Sequence, residues 1–234
     1  MSGVRGRSPW RKYVTALLLE AVKLTGVHET TTRRYSPRRS REERREQLLD
    51  AALHLLDVSG FDAFSIEAVA RQADLTKSVI YATFGTREEL LRALVDRELN
   101  RAFLDIAAAI PKPPHTDPGE VLHQALVNIL QAAHDHPETW RLFVLPADGM
   151  PIEARENVTR HRHRLFEQIE PLIVWGLQQL AAKDIDPEIM TQVTIACFEQ
   201  AIRMTLIDPD RFTPERLATF AQAFIATHHP RAST

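Results

Sequence analysis

The sequence predicts an all-α fold. A small N-terminal three-helix head containing a helix-turn-helix is followed by a larger helical body, about nine helices in all plus an N-terminal extension helix. Three observations carry this. Apolar residues recur at intervals of three and four through nearly every segment of the 234-residue chain. Helix-starting signals recur as well: Ser40…Glu43 and Thr86…Glu89 have the spacing of capping boxes, and Asp186-Pro187 and Thr213-Pro214 pair a cap with a proline at the first helical position. No segment alternates apolar and polar residues between hairpin turns.

Taken in order, residues 14–24 (VTALLLEAVKL) read as an amphipathic extension helix. Ser40 opens a helix to Val58 on Leu48, Ala51, Ala52, Leu55 and Leu56, and Gly60 stops it. Ser65 caps a helix over 66–73 and Thr76 caps the next over 77–83. Thr86 begins a long helix reaching about Ile110. The breaker-rich PKPPHTDP (111–118) follows, then helices over 119–136 and 137–145. Residues 152–183 form another long helix bent at Pro171, and the last two helices start at Pro187 and Pro214. Three regions result: a basic extension 1–39, a head 40–86 and a body 87–234.

Composition narrows the function classes. Residues 1–47 carry 12 basic and 5 acidic side chains, a balance of +7, whereas the remainder carries 17 and 26, a balance of −9. A basic head on an acidic body suits a polyanionic partner, and it also suits a plain basic tail. The single cysteine, Cys197, cannot pair internally, which fits the cytoplasm. No apolar run is long enough for a bilayer, so no membrane role is expected. No nucleophile elbow, HExxH motif, phosphate loop or metal-spaced carboxylate set is present, so the expectation is a non-enzyme without metal or cofactor.

The segment IEAVARQADLTKSVIYATF (66–84) carries the sharpest signal. Val69, Ala70, Ala73, Leu75 and Ile80 sit where a helix-turn-helix needs apolar or small residues. Asp74 sits in the turn, where a left-handed backbone is tolerated by Asp. The outer side of the second helix then carries Thr76, Lys77, Ser78, Tyr81 and Thr83, a set of short donors, one cation and one phenol that suits a major groove. Helix starts at Ser65, Thr76 and Thr86 present free N–H groups, and Arg87, in a first turn where a cation opposes the dipole, makes sense beside a phosphate. A plain helical corner with hydroxyl caps is the alternative reading.

Residues 42–92 resemble the TetR family of transcriptional regulators: Gly60-Phe61, Ser65-Ile66, Val69-Ala70, Leu75-Thr76-Lys77, Ile80-Tyr81, Phe84 and Thr86-Arg87-Glu88-Glu89-Leu90. Departures are Asp74 for a usual glycine, Ser78 for a frequent glycine and Thr83 for a frequent histidine. The resemblance implies a homodimer in which each chain joins a DNA-binding head to a small-molecule-binding body. It implies a repressor that leaves a palindromic double-stranded DNA operator on binding its effector. Thr76, Lys77 and Tyr81 would contact phosphates and bases, and Phe84 would hold the head together. Arg39 and Arg41, in Arg38-Arg39-Ser40-Arg41, read either as an arm along the backbone or minor groove or as a solvated linker.

Residues 187–207 are apolar on almost every side, and the last helix has a stripe of Leu217, Phe220, Ala221, Phe224 and Ile225. These two helices are expected to form an intermolecular four-helix bundle. Phe103, Trp140, Phe143, Met150, Phe166, Trp175 and Phe198 are candidates either for pocket lining or for plain core. Arg160-His161-Arg162-His163-Arg164 reads as a solvated face with Glu156–Arg160 pairing, since residues two apart on a helix do not converge. Two other classes stand as alternatives: an all-helical binding or interaction protein without operator binding, and a helical enzyme.

Overall fold

The computed structural model describes residues 40–111, 117–144, 150 and 152–228. The readings on the extension, its helix and Arg39 fall outside these residues. The described residues are all-α, with nine helices: α1 Arg41–Ser59, α2 Ile66–Gln72, α3 Lys77–Phe84, α4 Arg87–Ala109, α5 Pro118–Asp135, α6 Pro137–Val144, α7 Ile152–Gln179, α8 Pro187–Ile207 and α9 Pro214–His228. None is long and apolar enough to cross a membrane.

The chain divides into two compact units. Among the described residues, one comprises 40–102, 138–144, 150 and 152–161; the other comprises 103–111, 117–137 and 162–228. In the first, Leu48, Leu49 and Ala52 of α1, Val69 of α2, Ile80 of α3 and Leu90, Leu94 and Val95 of α4 are buried in one cluster. Leu142, Met150 and Ala154, from far along the chain, complete it. Each large side chain buried there stabilises by roughly 1.5–3 kcal/mol. Ser40 and Glu43 form both halves of the capping box, at 3.1 and 2.6 Å. Thr86 and Glu89 do the same at the start of α4.

Electrostatic links close the seams of this unit. His54 Nδ1 lies 2.9 Å from Glu138 Oε1, and Arg141 Nη1 donates to Asp57 Oδ2 at 3.0 Å, joining α1 to α6. Glu98 is fully buried yet satisfied: Thr139 Oγ1 donates to it at 2.6 Å and Arg97 Nε at 2.7 Å. Arg97 also donates to Glu46 and Asp50 at 3.0 and 2.7 Å. Burial alone would lower the Arg97 guanidinium pKa, but Glu98, Glu46 and Asp50 outweigh it and raise the pKa.

In the second unit α5 packs against α9 and α8. Phe103, Ala107 and Ile110 form a smaller core with Ile169, Leu172 and Trp175. Asn128 Nδ2 ties α5 to the Ala109 carbonyl at 3.0 Å. Helix α7 passes through Pro171 and ends at Gln179, short of the expected Lys183. Ala181 takes φ 52°, and the Ala182 N–H reaches back to the Leu177 carbonyl at 3.0 Å. That is a Schellman closure with alanine where glycine is usual, so apolar periodicity beyond 179 could not reveal the stop. On α8 and α9, Ile189, Val193, Ile207, Phe220 and Phe224 are left exposed, and Phe220 and Phe224 stack at 6.3 Å.

Candidate nucleic-acid interface

Helices α2 and α3 are positioned by a left-handed turn. Asp74 has φ 53°, and the Leu75 N–H reaches back to the Ala70 carbonyl at 2.9 Å. The small Ala70 and Ala73 and the fully buried Val69 let the two helices cross closely, and Ile80 locks α3 to the core. Gln47 Nε2 of α1 caps the corner by donating to the Ala73 carbonyl at 2.8 Å. At the far end of α3, Gly85 takes φ 80°, and a Cβ there would collide with the Glu89 carboxylate. The positive φ favours glycine here, and any side chain would push the Glu89 carboxylate from its place in the α4 capping box.

This scaffold leaves one side of α3 open. Thr76, Lys77, Ser78, Tyr81 and Ala82 are exposed, while Ile80 and Phe84 face inward. Tyr81 is 52% exposed. Lys77 Nζ pairs with Glu67 Oε1 of α2, also at the surface. Such a surface presents a phenol, two hydroxyls and a cation, groups that bind phosphate oxygens and base edges.

The other proposed contacts fare differently. Ser65 Oγ is committed to capping α2, accepting from the Ala68 N–H at 3.1 Å. Thr76 stands at the N-cap of α3, but its hydroxyl makes no capping bond; it shares a hydrogen bond with Ser78 Oγ at 2.8 Å, and the expected side-chain cap is absent. Thr83 Oγ1 donates to the Val79 carbonyl at 2.7 Å, which turns it back toward its own helix. Thr86 serves the α4 capping box and is exposed. Arg87 lies over the Phe64 ring at 5.2 Å and donates to the Phe64 carbonyl at 3.0 Å, so it braces the end of the α1–α2 connection. Arg41 is exposed at the first turn of α1. Phe84 is buried beneath the Arg45 guanidinium, 5.6 Å from the ring centre.

The candidate pocket residues fall in both units. Phe103 and Trp175 share the small core of the second unit. Phe143 packs against the large cluster of the first unit, where Met150 is also buried, and Trp140 is buried within that unit. Phe166 and Phe198 are half-buried. Along the Arg/His run, Arg160 meets Asn157 at 3.4 Å rather than Glu156, Arg162 grips Glu199 with both oxygens at 2.5 and 2.6 Å, and His163 lies 3.5 Å from Glu167. Sequence reasoning missed Glu67 and the Arg97–Glu98–Thr139 network. Both depend on partners 10 to 51 positions apart, which helical periodicity does not register.

The model of the family described as "Bacterial regulatory proteins, tetR family" matches residues 48–94, the stretch that builds this corner. That stretch is similar to the TetR family's N-terminal segment. Similar proteins are regulators as well. YhgD, an HTH-type transcriptional regulator of Bacillus subtilis, is 26% identical over 158 residues, covering 67% of this chain and 81% of its own. The HTH-type transcriptional repressor KstR of Rhodococcus jostii is 32% identical over 130 residues, covering 54% of this chain and 59% of KstR. Among solved structures, a TetR-like transcriptional regulator from Rhodococcus sp. RHA1 aligns with a TM-score of 0.61 at 24% identity, covering 82% of this chain and 99% of that one. The similar proteins are transcriptional regulators by their names, and the likeness to solved structures is one of fold.

Proposed function

We propose that this protein is a TetR-family repressor that binds a palindromic operator as a homodimer and releases it when a small molecule enters the body. The functional division is an N-terminal extension 1–39, a DNA-binding head 40–86 and a ligand-binding and dimerisation region 87–234. The protein works in the cytoplasm, where its DNA lies. The observation that carries this reading is the open side of α3: Lys77 and Tyr81 are solvent-exposed beside Thr76 and Ser78, on a helix held by a buried Ile80. The name of KstR supports repression. The exposed apolar stripe on α8 and α9 supports a symmetric partner, because large apolar side chains in that number are rarely left to water.

The test is a gel-shift and footprinting experiment on DNA upstream of the protein's own gene. Sequence-selective binding with steep salt dependence and a twofold-symmetric footprint is expected, its half-sites about 34–36 Å apart. Binding to no duplex at low salt overturns the reading. A thermal-shift screen of small molecules, with hits tested for operator release, addresses the effector.

A further inference from the structure

One acid lies within bonding reach of the face assigned to DNA. Glu67 occupies the first turn of α2, and its carboxylate holds the Lys77 ammonium across the helix-turn-helix corner. Both side chains are solvent-facing, at 58% and 53%. Glu67 makes this pair with a residue ten positions away on the next helix. Arg71, one turn along the same exposed side of α2, stands at the spacing ordinarily used for a helical ion pair. The bond to Lys77 holds the Glu67 carboxyl pKa below its ordinary value, so the carboxylate is charged at neutral pH and the pair is lost on the acid side as Glu67 is protonated.

An exposed ion pair of this kind adds little to folding stability. Its consequence falls on binding. For Lys77 to neutralise a phosphate, the ammonium must leave Glu67 or be shared with it. In either case a carboxylate remains well within the Debye length, about 8 Å at physiological salt, of that phosphate.

We propose that Glu67 is an affinity-setting residue of the DNA-binding face, a carboxylate clasp on Lys77 that competes with phosphate and holds down sequence-independent binding. This rests on the DNA-binding reading above. The clasp gives specificity by subtraction: Glu67 penalises every duplex, and only a site whose base contacts compensate is retained.

The experiment uses the full-length chain with Glu67→Gln, Lys77→Met and the double variant. Fluorescence anisotropy is measured against a random-sequence duplex and against the upstream segment over a salt series. Thermal melting confirms that the variants stay folded. Glu67→Gln should tighten random-duplex binding roughly threefold to tenfold at low salt and steepen the log–log salt slope by about 0.9, one further phosphate neutralised. The ratio of upstream to random affinity should fall. In the Lys77→Met background the gain should largely disappear. An unchanged slope, weaker binding by Glu67→Gln, or an undiminished gain without Lys77 overturns the proposal while leaving DNA binding intact. Failure of the wild-type chain to bind either duplex instead removes the reading beneath it.

Discussion

Replacing Phe220 with alanine should separate the assembly of this protein from its folding. Phe220 lies on α9 and is 69% exposed, so its own chain covers less than a third of it. A phenylalanine carries about 150–250 Å² of surface, which leaves roughly 140 Å² facing outward. At about 25 cal/mol per Å², covering all of that by a partner stabilises by up to ~3.5 kcal/mol for each copy, and twofold symmetry counts it twice. If association covers only half of it, Phe220→Ala still costs ~3.5 kcal/mol per dimer. The expected rise in the dimer dissociation constant is therefore about two to five orders of magnitude. Sedimentation velocity across a wide concentration series reads this directly. Helical content by circular dichroism should be unchanged, because α9 is held to α5 by its other side, where Ala218 is fully buried. A variant that self-associates as tightly as the wild type, or a wild type that is monomeric throughout, refutes the assignment of this stripe to a second copy.

Three further outcomes follow from the first unit. Tyr81→Ala should weaken operator binding by at least tenfold with an unchanged melting temperature, since the ring is half exposed; anisotropy and melting on the same samples decide it, and equal losses would make Tyr81 structural. Asp74→Gly should stabilise by up to about 1 kcal/mol in urea unfolding by relieving the left-handed turn, whereas Asp74→Val should destabilise by more than about 1 kcal/mol. Thr139→Val keeps shape but removes a donor from the buried Glu98 carboxylate; a loss of about 1–3 kcal/mol in urea unfolding is expected, and no loss would mean that Arg97 and Arg101, whose Nη1 lies 3.4 Å from Glu98 Oε2, satisfy Glu98 alone.

Much of this fold was legible because its local signals are strong. Ser40…Glu43 and Thr86…Glu89 form the capping boxes their spacing requires, and Asp186 caps α8 through the Glu188 and Ile189 N–H groups. Asp74 adopts the left-handed turn expected from its place in the corner and the tolerance of its residue type. The sequence misled where two outcomes share one residue type. Thr76 stands at a cap position, yet its hydroxyl turns to Ser78. Alanine is a helix former by composition, and Ala181 ends a helix. For Arg87 no local pattern announced that Phe64 would supply both a carbonyl and a ring within its reach. The pairing of Arg97 with Glu46, 51 positions earlier, belongs to tertiary packing, which no local pattern encodes.

The way Leu142, Met150 and Ala154 finish a cluster begun at Leu48 has a practical consequence for protein engineering. Cutting the chain after α3 or within α4 to obtain a portable DNA reader would strip away those three residues, together with the Glu138 and Arg141 links to α1. Chimeras that graft this reader onto a foreign sensor would then have to carry the 138–161 stretch along with it, so the natural unit of transplantation is discontinuous in sequence.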